Sequence, residues 1–197
     1  MTKGELSKKR IVETAGDLFW RYGYTKTGIS EILKATGLPK GSFYFYFKKK
    51  SDVAEAVLQY YRSIVTDLLQ SVAEKSKSWG IFCDSLFCAF QEKLPDKRYY
   101  GCPLAVIGME MAFCEEELAG HYNEAMGEIQ KIFMQVLRKD GISEERLEET
   151  AELCLAVYEG NLLLYRIAKD EDLLLRMNAQ LKRIVQRMKN ENKSNKF

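Results

Sequence analysis

Phe43, Tyr44, Phe45, Tyr46 and Phe47 run consecutively between a turn punctuated by Gly37, Pro39 and Gly41 and the cluster Lys48, Lys49 and Lys50, in the stretch TGLPKGSFYFYFKKKSD. A packed core calls for the rings without the lysines, and a solvated face calls for the lysines without the rings. A grooved polyanion accepts both. Ammonium groups neutralise phosphates, while tyrosine hydroxyls on stiff rings hydrogen-bond phosphate oxygens and set the register of a bound duplex. The chemistry pointed to is nucleic-acid binding.

Other chemistries find little footing. GxGxxG, P-loop, GxSxG and HExxH patterns do not occur in the chain. The one histidine, His121, has no neighbour in sequence that marks a catalytic triad, so no enzyme is expected. Cys83, Cys88, Cys102, Cys114 and Cys154 are odd in number and irregular in spacing, which fits neither a disulfide framework nor a zinc site. No metal and no cofactor is expected.

The elements that must position the basic and aromatic residues follow from periodicity. Ile11, Ala15, Leu18, Phe19 and Tyr22 form one helical stripe, and Gly23 stands where such a helix stops. Ile29, Ile32 and Leu33 fit a second, short helix, with Thr27 placed to cap it and Glu31 in its first turn. Gly37 breaks the chain, and Pro39 suits the first turn of a third helix running from Lys40 to Phe47. Ser51 is placed to cap a fourth helix beginning at Asp52. Two short helices joined by a glycine turn are a helix-turn-helix, whose second helix enters the major groove N-terminus first. Leu38, Pro39, Lys40, Gly41 and Ser42 are then nearest the base edges. Tyr44, Tyr46 and Lys50 read as phosphate clamps, and Phe43 and Phe47, four apart, face the supporting helix.

Charge is divided in the same way. The chain of 197 residues carries a net charge of +2, yet residues 1–50 hold eleven Lys or Arg against four Asp or Glu. That basic head is joined to an acidic remainder, the distribution expected of a nucleic-acid-binding head on a body with another task. A hydrophobic content of 46% supports a real core, and three prolines in long Leu/Glu/Lys/Arg-rich stretches favour helix. The N-terminus lacks an apolar signal region, and no apolar run reaches the roughly 18 residues of a membrane span. A cytoplasmic, all-α protein without a membrane partner is the expectation.

Residues 8–58 resemble the DNA-binding head of the TetR family of bacterial transcriptional regulators. The stretch TGISEILKATGLPKGSFYFYFKKKSDVAEAV carries the likeness. It has a Thr-initiated second helix, a small-residue–Gly turn, Lys-Gly-Ser-aromatic-Tyr, and a lysine before the fourth helix. The resemblance implies a helix-turn-helix domain over residues 1–50 and an effector-binding and dimerisation domain over residues 51–197. By position, Thr27, Tyr44 and Lys50 match the family's phosphate contacts, and Pro39, Lys40, Gly41 and Phe45 lie where bases are read. Phe45 departs from the histidine or other polar residue usual there, which leaves contact with a thymine methyl group instead of a hydrogen bond.

Beyond residue 52 the chain reads as helices: one from Asp52 to about residue 75, a second from Trp79 to Lys93, a loop from Pro95 to Pro103, a short apolar helix from Leu104 to Phe113, and three longer ones. The tail after Lys189 is polar and is expected to fray. The last two helices, with LAVYEGNLLLYRIAKD, resemble the family's dimerisation helices, and Gly160 permits close helix approach. A homodimer places two recognition helices about one DNA turn apart and reads a palindromic operator in double-stranded DNA. The resemblance also implies a repressor released by a small, mostly apolar effector, with Trp79, Phe87, Cys102, Met109, His121, Tyr122, Tyr158 and Asn161 as candidate pocket residues. An alternative uses Cys102, just ahead of a helix terminus that lowers thiol pKa, as a sensor of electrophiles or oxidants.

Overall fold

The computed structural model describes residues 2–92 and 99–194, and the described residues are helical almost throughout, with no strand among them. The helices are α1 (Lys3–Tyr22), α2 (Ile29–Thr36), α3 (Lys40–Tyr46), α4 (Lys50–Lys75), α5 (Trp79–Gln91), α6 (Pro103–Cys114), α7 (Glu116–Lys139), α8 (Glu144–Ala168) and α9 (Asp172–Ser194). They form two compact units. One takes in Met1–Val65 and Pro103–Ala125, the other Thr66–Cys102 and Met126–Phe197.

In the first unit, α1 starts eight residues before the apolar stripe seen in the sequence. A capping box explains the difference: the Thr2 amide donates to Glu5 Oε2 at 2.6 Å, and the Glu5 amide donates to Thr2 Oγ1 at 3.2 Å. Gly23 ends α1 at φ +94°, and its amide donates to the Phe19 carbonyl. Ile11, Ala15, Phe19, Ile32, Phe43, Phe47, Val53, Val57 and Leu58 form the core. Burying a phenylalanine such as Phe43 is worth about 1.5–3 kcal/mol. Tyr22, expected on the apolar stripe, is exposed instead, with the Arg21 guanidinium over its ring.

Two predicted caps are corrected. Gly28, not Thr27, is the N-cap of α2, and its amide donates to Glu31 Oε2 at 2.9 Å. The fourth helix starts at Lys50 instead of Asp52, because the Asp52 carboxylate reaches back to the amides of Lys48 and Lys49, at 2.9 and 3.1 Å. Ser51 is buried.

In the second unit an unbroken train of rings runs through the interior. Trp79 stacks on Phe82 (centroids 5.2 Å apart) and meets Phe133 edge-on; Phe133 meets Tyr158, which neighbours Phe90. Phe90 then touches Tyr99, and Tyr99 touches Tyr165. The helices α8 and α9 pack along each other, and α5 packs on α9. Asn178 and Lys182 on α9 both donate to Asp84 on α5. Helix α5 ends at Gln91, two residues short of the predicted Lys93, which lies outside the described residues, as do residues 95–98 of the predicted loop. At the other end, α9 runs to Ser194, past the point where fraying was expected.

Candidate nucleic-acid interface and effector-site residues

The recognition surface is built by α3 on its support. Phe43 and Phe47 are buried, with ring centroids 5.9 Å apart, and Lys8 of α1 lies over the Phe47 ring. That anchoring turns the adjacent residues Tyr44 and Phe45 outward: Phe45 is 81% exposed and Tyr44 47%. Lys40 is exposed, with its ammonium 5.8 Å from the Tyr44 ring centre, and Pro39 is the N-cap. Ser42 is half-buried. A Cβ built on Gly41 would meet nothing within 4 Å, so nothing inside the chain demands glycine there. Tyr46 is half-buried, and its hydroxyl sits beside Gly4 of α1.

Two of the expected phosphate contacts are engaged internally. Thr27 is buried, and its hydroxyl donates to the Gly23 carbonyl at 2.8 Å. Lys50 donates to the Tyr24 carbonyl at 3.0 Å and lies 3.9 Å from the centre of the Tyr24 ring. Both hold the turn between α1 and α2 that sets the angle of the recognition surface. Glu110 of α6, which sequence reasoning passed over, grips the same turn. Its carboxylate accepts the amides of Tyr24 and Thr25, at 3.2 and 2.7 Å. Nearby, Tyr24 donates its hydroxyl to Glu115, and burial together with that carboxylate raises the phenol's pKa.

The expected effector residues divide between the two units. In the first, Met109 is half exposed, and Tyr122 is buried with its ring against Gly108. His121 Nδ1 and the Tyr122 hydroxyl are buried without a hydrogen-bond partner. In the second unit, Trp79 donates its ring N–H to the Leu181 carbonyl at 3.0 Å, and Asn161 donates to the Val157 carbonyl and to Gln180. Those two residues tie helices together. Phe87 is half-buried, and Tyr158 is fully within the ring train.

Cys102 is only 3% exposed and lies among Tyr99, Tyr158 and Glu159. A thiol so buried gives electrophiles and oxidants little access, so the expectation of a sensor thiol activated by a helix terminus is not favoured. Cys154 is likewise inert, its thiol pushed up to about 12 by burial. Glu159 itself was missed. Its two oxygens are buried with no partner in ordinary hydrogen-bond geometry, and burial pushes its pKa up to about 7, with slight relief from the Cys102 thiol. The sole signal in the sequence is one acidic residue at the edge of an apolar stripe.

A seven-residue helix packed on α1, with the adjacent rings of Tyr44 and Phe45 outward and lysines at its flank, defines a helix-turn-helix DNA-binding protein. Residues 11–57 match the family model of bacterial regulatory proteins of the tetR family, and residues 83–180 match that of the LmrA/YxaF-like transcriptional regulator C-terminal domain. The HTH-type transcriptional regulator LmrA of Bacillus subtilis is 29% identical over 186 residues, 92% of this chain and 97% of LmrA. The HTH-type transcriptional repressor NemR of Escherichia coli is 33% identical over 92 residues, 45% of this chain and 43% of NemR. The crystal structure of a TetR-family regulator from Cytophaga hutchinsonii shares the fold at a TM-score of 0.81 and 20% identity, over 94% of this chain and 96% of that one. The chain belongs to the TetR family of transcriptional regulators and binds DNA. No described helix is long and apolar enough to cross a membrane.

Proposed function

We propose that the protein is a homodimeric repressor that binds a palindromic operator and is released from it by a small, mostly apolar effector. The observation that carries this reading is the outward-facing set on α3: Lys40, Gly41, Tyr44 and Phe45, exposed on a helix whose other face is locked into the core. Lys40, Gly41, Ser42 and Phe45 meet base edges, Pro39 sets the entry of the helix, and Tyr44, Tyr46 and Lys50 contact phosphates. Lys50 uses one of its three N–H donors on Tyr24 and has two left for a phosphate. Thr27 serves by fixing the turn. Residues 1–50 are the DNA-binding domain in this reading, and residues 51–197 supply the effector site and the dimer interface.

The dimer is supported by α8. Leu153, Leu164 and Ile167 are exposed along one face of that helix, with Gly160 between them and open space where its Cβ would stand. An effector releases DNA only if it binds the DNA-incompetent form more tightly than the competent one. Helix α4, continuous from Lys50 to Lys75, and the Glu110 grip on the α1–α2 turn are the routes by which it acts on the head.

Fluorescence anisotropy on DNA from immediately upstream of the protein's own gene tests the reading. Saturable binding that competitor DNA of scrambled sequence does not abolish, and that weakens steeply with salt, is the expected result. Equal affinity for scrambled DNA would refute it.

A further inference from the structure

Among the described residues, Glu159, in the middle of α8, is an ionisable group for which the fold makes poor provision. Both carboxylate oxygens are shut off from solvent within a single chain, and among the described residues the Cys102 thiol, a weak donor outside ordinary hydrogen-bond geometry, is what eases the charge. No lysine, arginine or histidine among the described residues contributes to its titration. A buried carboxylate of this kind is strongly disfavoured if it stays ionised without a cation, and a glutamine or leucine would avoid that penalty. The surroundings are aromatic. Tyr158 is its neighbour on α8, and Tyr99 comes from the segment before α6, beside Phe90 and Tyr165.

That segment is fixed in place. Arg166 donates to the Tyr100 carbonyl at 2.8 Å, and Gly101, at φ +85°, lies so close to the Leu162 carbonyl that no larger residue fits. The rings and the carboxylate are therefore presented by two elements held against each other.

Both features select the same ligand chemistry. A carboxylate is an acceptor without donors, and the faces of phenol and phenyl rings carry negative potential that attracts cations. Apolar ring surface also favours a flat hydrophobic body. We infer that Glu159 and the rings of Tyr99 and Tyr158 form the anchor for a cationic effector, a flat aromatic or alicyclic amine whose N–H donates to the carboxylate. This deepens the proposed effector-released repressor and depends on it for its regulatory meaning, but binding itself is measurable without DNA. Ligand entry supplies a cationic partner: the amine's positive charge sits against the ionised carboxylate, and its body displaces ring–ring contacts.

The test is fluorescence titration of the DNA-free, full-length protein with 9-aminoacridine, a cationic three-ring amine, and with acridone, its neutral three-ring counterpart. Saturable 9-aminoacridine binding is expected, with acridone weaker by about 10- to 100-fold, the worth of one charge-assisted hydrogen bond. Glu159→Gln, close in shape, should lose the preference for the cation while retaining the fold, checked by an unchanged helical circular dichroism spectrum. Glu159→Asp should retain part of it. Equal binding of the two dyes by wild type, or an undiminished cation preference in Glu159→Gln, overturns the assignment, as does the lack of saturable binding by 9-aminoacridine. If operator DNA is released by a neutral compound whose potency is the same in Glu159→Gln, the repressor reading stands and the cation anchor falls.

Discussion

Gly41 and Glu159 are each unfavourable for the fold taken alone, and each makes a sharp prediction. Glycine inside a helix costs about 1 kcal/mol against alanine, and the space around Gly41 is open. Gly41→Ala should therefore raise the midpoint of urea unfolding while weakening operator binding in anisotropy titrations, because the added methyl group would stand on the surface proposed to meet DNA. An unchanged operator affinity would mean that glycine is not there for DNA. For Glu159 the sign follows from linkage. Its folded-state pKa of about 7 lies above the ordinary carboxylate value of 4.5, so the folded chain holds the proton more tightly than the unfolded chain. The stabilisation is complete below about pH 4.5 and is lost as pH rises through 7, to a total of about 3 kcal/mol. Cys102, Tyr99 and Tyr158 face the group, and none of them brings a positive charge. Thermal melts from pH 5 to 8 should show a steady fall in Tm for wild type and a flatter profile for Glu159→Gln. Identical profiles would show that the carboxyl group does not titrate in this window. Neither residue's setting was fully legible in the sequence: the oddness of Gly41 was visible from helical spacing, whereas Glu159 looked like any helical glutamate until the packing of Tyr99 and Gly101 against α8 closed over it.

The short helices of the head were legible because their stops are chemical: Gly23 and Gly37 both take positive φ, and the fixed φ of Pro39 begins α3. Their starts were less so. Side chains reach backwards over a turn to cap, so Glu31 and Asp52 close helices that Thr27 and Ser51 were expected to close, and Glu5 extends α1 through a segment without apolar periodicity. Glu110 was invisible for a different reason. Its partners, the amides of Tyr24 and Thr25, lie more than eighty residues away in sequence, and no local pattern marks a carboxylate that receives two backbone donors. Because it holds the turn that leads into α2, Glu110→Ala should leave two amides without an acceptor and cost about 1–3 kcal/mol in chemical denaturation. Operator affinity should fall as well, although the residue is not among those proposed to touch DNA, and Glu110→Gln, which keeps an acceptor oxygen, should lose less on both counts. Equal losses in the two variants would assign the effect to charge instead of to the grip on the turn. Gly23→Ala tests the same junction from the other side. Its φ of +94° and the proximity of the Glu110 carboxylate leave no room for a methyl group, so a drop in Tm is expected.

An apolar face left open on α8 matters most for how the chain assembles. Leu153, Gly160, Leu164 and Ile167 recur at intervals of seven, four and three, which places them on one side of the helix, away from the buried stripe of Leu147, Ala151, Cys154, Tyr158, Leu162 and Tyr165. The buried stripe is satisfied by the chain's own rings and by α9. The second stripe, with Ile167 72% and Leu164 51% exposed, is left uncovered by the described residues of a single chain. Exposed leucines taken singly are ordinary, but a run along one helical face with an outward glycine at its centre is the pattern of a close helix–helix contact. Two copies related by a twofold axis would bring α8 and α9 of each into a four-helix bundle and set the two α3 helices to read both halves of a palindrome. Ile167→Glu combined with Leu164→Glu places like charges across that axis without touching the core. Sedimentation velocity should show wild type at twice the chain mass of 22.8 kDa and the double variant at the single mass, with an unchanged circular dichroism spectrum. Operator binding should then weaken by orders of magnitude while the residual, sequence-independent binding keeps its salt dependence, because each head still presents its lysines but no longer has a partner on the second half-site. A variant that stays at twice the mass would place the dimer contact elsewhere on the surface and leave the exposed stripe of α8 without a role.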